Sequence, residues 1–519
     1  MSSTPSPTAP ATPSPPAPEN RWLVLAVISA ALLIVVIDMT VLHVAVPRIA
    51  ADLDPSATSL LWIVDIYPLV VAPLLVASGT LGDRFGRKRM LILGLLVFTG
   101  ASLLAAFAWS PGVLILARAI QGVGGAMIMP STMSIIRVVF PDRQERVKAV
   151  GIWSAVMAGG AAAGPLVGGF LVEHFSWGAV FLINVPVLLV VLPFALRMLP
   201  ESRHSDPPPW DVRSVAMVTA GVLLLAFGIK HGARHGFLDP QAAVALLVSI
   251  AMLGGFVRRQ LTAARPLLEL RLFANPAFSV AVGSVLLVMF ALIGLELFFA
   301  QYLQLVIGLG PLDASIRLLP LAVMMLVGSL IAAPTLRRFG ARIVTAGGLA
   351  ASALAVLPIL LTDSTDRYLL LAVPFLFLGL GLQLAMIASN DTILSSVTAD
   401  DAGQAAAIEE TAYDLGGGIG VAVLGAIGAA VFTGRVGEVP GLGAADHDAA
   451  AQSINEALTV AERLPTELGD RLLAASADAF LAGFHTVLLV AFGLVAVSAL
   501  IAAIFIPGRE RTRDGGADD

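Results

Sequence analysis

The side chains best able to do chemistry in this chain are charged or polar residues inside long apolar runs. IDMTVLHVAVP (37–47) holds Asp38 and His43, and WIVDIYPLV (62–70) holds Asp65 and Tyr67. LARAIQGVGGAM (116–127) holds Arg118 and Gln121, and FALIGLELFFAQYLQLV (290–306) holds Glu296. IEETAYDLGGGIG (408–420) holds Glu409, Glu410 and Asp414. A charge in hydrocarbon is costly, so each marks either an ion pair or a site for protons and cations. An apolar cavity favours the neutral form of a carboxylate and a neighbouring arginine favours the ionised form. That balance shifts when the cavity opens or a cation arrives.

Other chemistries are poorly served. The chain has no cysteine, which excludes disulfides, thiolate metal sites and a cysteine nucleophile. GxxxxGK[ST] does not occur, which argues against ATP hydrolysis. The apolar runs contain no paired histidine ligands and no nucleophile–base constellation, so neither a metal nor an enzyme activity is expected.

Spacing suggests how the charges meet. Asp38 and Asp65 are equidistant from position 51.5, the midpoint of their hairpin. In antiparallel helices they share a depth, roughly 10 Å below the nearer surface at about 1.5 Å per residue. Arg118 follows the turn of its own run by a few residues and comes to the same level. Two acids and one base at one depth can neutralise one another, as a structural ion pair or as a proton-exchanging site. His43 titrates near neutral pH when free, but reads first as a hydrogen-bonded link between helices. Glu296, followed by Gln301 and Gln304, offers a polar stripe to a cavity or to a neighbouring helix. Glu410 and Asp414, four apart, share a helix face, whereas Glu409 is rotated by about 100° and reads as a solvated acid at the helix mouth. Gly416, Gly417, Gly418 and Gly420 allow another helix to pack closely just beyond.

The elements that hold these residues are membrane-spanning helices. Of the 519 residues, 57% are hydrophobic and 13% charged, against roughly 25% charged in soluble domains. Fourteen apolar runs approach the length of about 20 residues that spans a bilayer. They are 22–46, 59–80, 90–108, 113–136, 149–172, 177–197, 214–231, 241–258, 278–304, 314–335, 343–361, 368–390, 404–432 and 480–506. The alternating strands of a membrane β-barrel are absent, so the fold class is an all-α integral membrane protein. Lysine is rare (Lys88, Lys148 and Lys230) while arginine is frequent, a composition that suggests a bacterial source.

With the N-terminus inside, 22 of the 31 basic residues collect on the cytoplasmic side. They include the Arg84/Arg87/Lys88/Arg89 cluster, Arg203, Arg265, Arg509, Arg511 and Arg513, and they place both termini in the cytoplasm. The proline-rich stretch before residue 21 is expected to be a disordered cytoplasmic tail, without a secretory cleavage site, so the first span is retained. Residues 22–197 then form an N-terminal six-helix half and 198–277 two inserted helices with linkers. Residues 278–506 form a C-terminal half whose acidic external loop, 433–479, is expected to be partly helical or mobile, and 507–519 a second tail. The formal charge of −5 is spread out, with no block suited to nucleic acid.

An internal repeat supports two halves: RFGRKR (84–89) recurs as RFGARI (338–343), and GPLVGG (164–169) has an echo in GGGIG (416–420). Both pairs are eight spans apart, as two six-helix halves separated by two inserted helices require. In GTLGDRFGRKR (79–89), Gly79, Gly82 and Gly86 are expected to let a short loop turn tightly. Asp83 can meet a helix N-terminus or an arginine such as Arg84 or Arg87, a latch that breaks as the halves rock. Gly164 and Pro165 supply close packing and a bend.

Taken as an ordered set, these stretches resemble the fourteen-helix drug:proton antiporters of the major facilitator superfamily, especially the quaternary-ammonium exporters. The resemblance covers residues 22–432 best. It implies the major facilitator fold, with no cofactor and a proton gradient as energy source. It also implies efflux of lipophilic cationic drugs, dyes and quaternary ammonium compounds across a bacterial cytoplasmic membrane by a multi-pass monomer. The resemblance assigns proton coupling to Asp38 and Arg118, and cation handling to Asp65, Glu410 and Asp414. Tyr67 and Gln121 read as polar cavity neighbours and Glu296 as a cavity acid, all three expected to contact the substrate cation. It assigns conformational gating to Gly79, Asp83, Arg84, Gly86, Arg87, Gly164 and Pro165. One departure stands out: some relatives carry an acid within the tenth span, and RLLPLAVMMLVGSLIAAP has none. Two-headed cations are therefore expected to be handled less well than singly charged ones. Export of an endogenous antibiotic or lipid is the second reading, and a non-transporting receptor or regulator the third.

Overall fold

The computed structural model describes residues 20–202, 211–263, 266–398, 401–437 and 439–508. The tails expected at each end lie almost wholly outside the described residues, as do Arg203, Arg265, Arg509, Arg511 and Arg513 of the charge count. The described residues hold helices and no strand. Thirteen of the helical segments are long and apolar enough to cross a membrane.

The first half comprises α1 (Arg21–Leu53), α2 (Ala57–Phe85), α3 (Arg87–Ala106), α4 (Pro111–Val139) and α5 (Arg143–His174), then the short α6 (Ala179–Leu182) and α7 (Asn184–Met198). Starts follow local chemistry: Ser56, Ser110 and Asp142 accept the first orphan amides of α2, α4 and α5. Val24, Ile28, Leu91, Phe98, Ile135 and Phe140 form much of the core of this half. An inserted hairpin follows, α8 (Val212–His235) and α9 (Pro240–Thr262), closed by Asp211–Arg259 at one end and His231–Asp239 at the other. Gly221 and Gly228 let it close tightly on Leu253 and Leu246.

The second half contains α10 (Pro276–Gln301), α11 (Pro311–Val356), α12 (Leu369–Ser395), α13 (Ala402–Arg435) and α16 (Thr466–Phe505), around a core rich in Phe299, Tyr302, Phe375 and Phe484. Between α13 and α16 lie α14 (Ala444–Ala450) and α15 (Ile454–Arg463). The segment read as a loop at 433–479 is thus largely helical, and α16 begins inside it.

The fourteen expected spans and thirteen observed segments differ at one place. Pro311–Leu361 is continuous over 51 residues, about 76 Å of helix against a hydrocarbon core of about 30 Å. It is broken at Gly340, where φ is 78° and ψ 161°. Gly86, its counterpart in the repeat, has φ 111° and ψ 132° between α2 and α3. Both copies of RFG therefore turn the chain at their glycine, in a backbone conformation that side chains disfavour. Counted on either side of Gly340, the spans number fourteen.

Close approaches between the halves lie toward the end of the bundle that carries the α1–α2 turn. A Cβ on Gly169 of α5 would meet Pro311 O and Leu312 Cα of α11 at 2.9 Å. One on Gly425 of α13 would run into the Leu61 side chain of α2. Gln304 Nε2 donates to Val44 O at 3.2 Å. Residues 452–455, entering α15, roof a cavity of about 70 Å³ between α2, α10, α13 and α16.

Candidate functional site

Asp38 lies in the middle of a closed polar network. Arg118 on α4 donates to Asp38 Oδ2. One turn on, Gln121 Nε2 donates to Asp38 Oδ1 at 3.1 Å and to Ser102 Oγ at 2.9 Å. Asn184 Nδ2 reaches the same two acceptors at 3.4 and 3.0 Å. All five side chains are at most 1% exposed, so four helices (α1, α3, α4 and α7) converge on one buried carboxylate. The Arg118 guanidinium also stacks 4.6 Å from the Tyr67 ring centroid, a contact that favours a cation over an aromatic face. Gln121, expected beside a cavity, is engaged by Asp38 and Ser102. Ser102 and Asn184 were not legible as site residues; the only signal was a polar side chain in an apolar run.

Asp65 does not join this network. Its carboxylate takes a hydrogen bond of 2.7 Å from Lys230 Nζ on the inserted helix α8. The ammonium stands 3.8 Å from the Trp62 ring centroid. Trp62 and Asp65 are three apart on α2, so one helical face presents both. Asp65 is 0% and Lys230 3% exposed. The expected neutralisation of two acids by Arg118 is therefore corrected: similar depth on adjacent helices does not set a shared azimuth, and each acid has its own cation.

The third cluster is on α13. Asp414 is 0% exposed, and among the described residues neither of its carboxylate oxygens has a hydrogen-bond partner. Glu410 Oε1, one turn earlier, is also buried and unbonded. Glu409 departs from the expectation of a solvated acid: Asn390 Nδ2 on α12 donates to it at 2.6 Å, because its rotated face points to a neighbouring helix rather than to water. The following glycines seat α13 between two helices. A Cβ on Gly420 would lie 2.8 Å from Phe290 Cα of α10, whereas Gly418 faces α2.

A cavity of about 20 Å³ lies beside Arg118 and His43, lined also by Met39, Tyr67, Tyr413 and Gly417; it is about the size of one water, and the carboxylates lie outside its lining. His43 Nδ1 lies 3.7 Å from Glu296 Oε2, joining α1 to α10 across the halves. Of the expected polar stripe, Gln304 binds the α1 backbone and Gln301 lines the roofed cavity.

The gating motifs resolve unequally. Asp83 at the end of α2 accepts from Arg87 at the start of α3, at 2.9 and 3.2 Å, across the turn at Gly86, and Arg84 lies 5.9 Å over the Phe85 ring. Arg87 N donates to Ser202 O, and Arg89 pairs with Glu201 at 3.5 Å, so the turn is tied to the segment after α7. Gly79 and Gly82 do not form the turn. They lie inside α2, where an added Cβ would come no closer than 3.9 Å to a neighbour, and Gly86 alone reverses the chain. Gly164 packs against Thr40 of α1, and Pro165 lies inside α5 without ending it.

A sequence profile described as the Major Facilitator Superfamily matches residues 28–421. The chain is 42% identical over 487 residues to the multidrug efflux pump LfrA of Mycolicibacterium smegmatis, covering 94% of this chain and 96% of that protein. It is 39% identical over 463 residues to the methyl viologen resistance protein SmvA of Salmonella typhimurium, covering 89% and 93%. Among solved structures, a bacterial homolog of the human lysosomal transporter Spinster, inward-facing and unoccupied, aligns with a TM-score of 0.67 at 19% identity. That alignment covers 94% of this chain and 98% of that one, and the likeness concerns the fold alone.

Proposed function

The chain belongs to the Major Facilitator Superfamily, and on that premise we propose that it exports lipophilic monovalent cations in exchange for protons. It is a multi-pass membrane transporter and not an enzyme. The observation that supports this reading best is the Glu410–Asp414 pair, a half-buried and a fully buried carboxylate one turn apart, with oxygens unbonded among the described residues. Two such groups in an apolar setting remain ionised together only beside a cation. A proton and a drug cation are therefore alternative occupants, and competition between them suffices for exchange. Aliphatic walls and Tyr413 and Tyr67 nearby supply hydrophobic attraction for the organic part of the substrate.

The name of LfrA, a multidrug efflux pump, supports drugs as substrates, and that of SmvA, a methyl viologen resistance protein, supports a cationic one. In the orientation set by the basic residues, both termini face the cytoplasm of a bacterial cell. The close approaches between halves then lie at the outer end, and the acid pair sits nearer the inner one. Proton influx through Asp38 and Arg118 would reset the site, and the protein works as a monomer without a cofactor.

Ethidium efflux from energised cells, with and without a proton uncoupler, tests the proposal. The expected result is efflux that stops with the uncoupler and is lost in Asp414→Asn. No efflux of any of several cationic dyes by well-expressed protein would overturn drug-cation export, and uncoupler-insensitive efflux would overturn proton coupling.

A further inference from the structure

We propose that Lys230 is a tethered competitor: it occupies a cation seat formed by Trp62 and Asp65, which a transported organic cation takes when the lysine withdraws. This rests on the cation-export reading and adds to it a residue from the inserted hairpin that sets affinity.

The seat has the composition that binds a lipophilic cation. An aromatic face stands 3.8 Å from the ammonium and a carboxylate accepts its hydrogen bond at 2.7 Å; a face and a negative charge are the two attractions that a monovalent aryl- or alkyl-onium ion needs. Trp62 packs on an aliphatic cluster of Leu69, Val222, Ala226 and Ala422 at the junction of α2, α8 and α13. Lys230 is five residues from the end of α8 at His235, about 8 Å along the axis. Its flexible four-carbon stem can therefore snorkel the ammonium to the interface without moving the helix. A guanidinium held by two parallel hydrogen bonds, as at Arg259 with Asp211, would be harder to displace.

A staple that only holds the hairpin on α2 has a cheaper form, because well-packed aliphatic side chains avoid the desolvation of two charges. α8 already uses Val222 and Ala226 against Leu69 and Ala422 in that way. Leu69, one turn from Asp65 on α2, packs against Gly418 and Ala422 of α13, one and two turns after Asp414, so the seat and the acid pair lie on neighbouring helices.

The experiment is binding of tetraphenylphosphonium to purified full-length protein in nanodiscs, with ethidium efflux of the same variants in cells. Lys230→Met is expected to tighten binding by about tenfold, the equivalent of one desolvated cation–aromatic contact. Asp65→Asn/Lys230→Met, which strands no charge, is expected to lose that gain. Lys230→Gln, which keeps a neutral donor toward Asp65, is expected to tighten binding in the same direction, so the proposal stays testable if Lys230→Met does not fold. Unchanged affinity in Lys230→Met, or in Lys230→Gln, overturns the tethered competitor while wild-type efflux leaves cation export standing. A wild-type protein that neither binds tetraphenylphosphonium nor exports ethidium overturns both.

Discussion

Lys230 donates a 2.7 Å hydrogen bond to Asp65 across 165 residues of sequence, and so joins the inserted hairpin to the first half. Asp65→Asn removes the counter-charge of the buried ammonium. The expected cost is at most about 3–5 kcal/mol, the range for breaking one side of a buried pair, reduced by withdrawal of the lysine toward the interface. Thermal denaturation in detergent measures it, and the neutral double variant Asp65→Asn/Lys230→Met should recover most of the loss. An equally unstable double variant would mean that the two side chains act independently.

Asp38 is bound by Arg118, Gln121 and Asn184 at once. Asp38→Asn should abolish uncoupler-sensitive ethidium efflux while the protein remains in the membrane in normal amount. Near-normal efflux would reduce Asp38 to a structural ion pair. Asn184→Ala should impair efflux less, because it removes the longest of the three contacts, at 3.4 Å.

Methyl viologen carries two charges and ethidium one. A dication engages both Glu410 and Asp414, whereas a monovalent cation needs one of them and leaves the other for a proton. Glu410→Gln should therefore reduce methyl viologen resistance about tenfold more than ethidium resistance, an added difference of one ionic contact. Growth inhibition by each compound in an expressing strain checks it; equal losses would indicate that the acids do not share a dication. Wild-type protein should confer the greater resistance to ethidium, since no acid follows Asp313 in α11.

Gly86 has φ 111°, and an added Cβ would also meet the Glu201 carboxylate. Gly86→Ala should cost about 1–3 kcal/mol through backbone strain. Gly79→Ala, with its nearest neighbour 3.9 Å from the added atom, should leave melting temperature and efflux near wild type. The reverse order of these two variants would contradict the assignment of the turn to Gly86 alone.

At the end carrying the α1–α2 turn, burial and a hydrogen bond to Asp54 push the Glu456 carboxyl above its ordinary value of 4.5. The sign follows: the packed state favours the protonated form, so its contribution is full below the ordinary value and is lost as pH rises through the raised one. Docking of α15 should thus loosen on going from acidic to neutral buffer. Hydrogen exchange across 454–463, corrected for intrinsic rates, should show less protection at neutral pH, and Glu456→Gln should remove the difference.

Much of this was legible along the chain. Apolar runs located the spans because a bilayer leaves no other solvent for a helix of that length. The RFG repeat located two turns that share one backbone conformation, at Gly86 and Gly340. Glu410 and Asp414 were legible as one face because four residues nearly complete a turn. Glu409 was misread for the complementary reason: periodicity states where a side chain points but not what stands there, and Asn390 stood there.

By itself, then, the sequence determined which residues are spanning and which charges share a helix face. Those are short-range consequences of helix geometry and solvent. Only the tertiary structure decided the partners: Arg118 with Asp38, Lys230 with Asp65, Asn390 with Glu409, and no hydrogen-bond partner for Asp414 among the described residues. A buried charge is stabilised by whatever counter-charge packing brings within about 4 Å, and that depends on helix azimuth and on which helices are neighbours. Neither quantity is written in the spacing of residues along one chain.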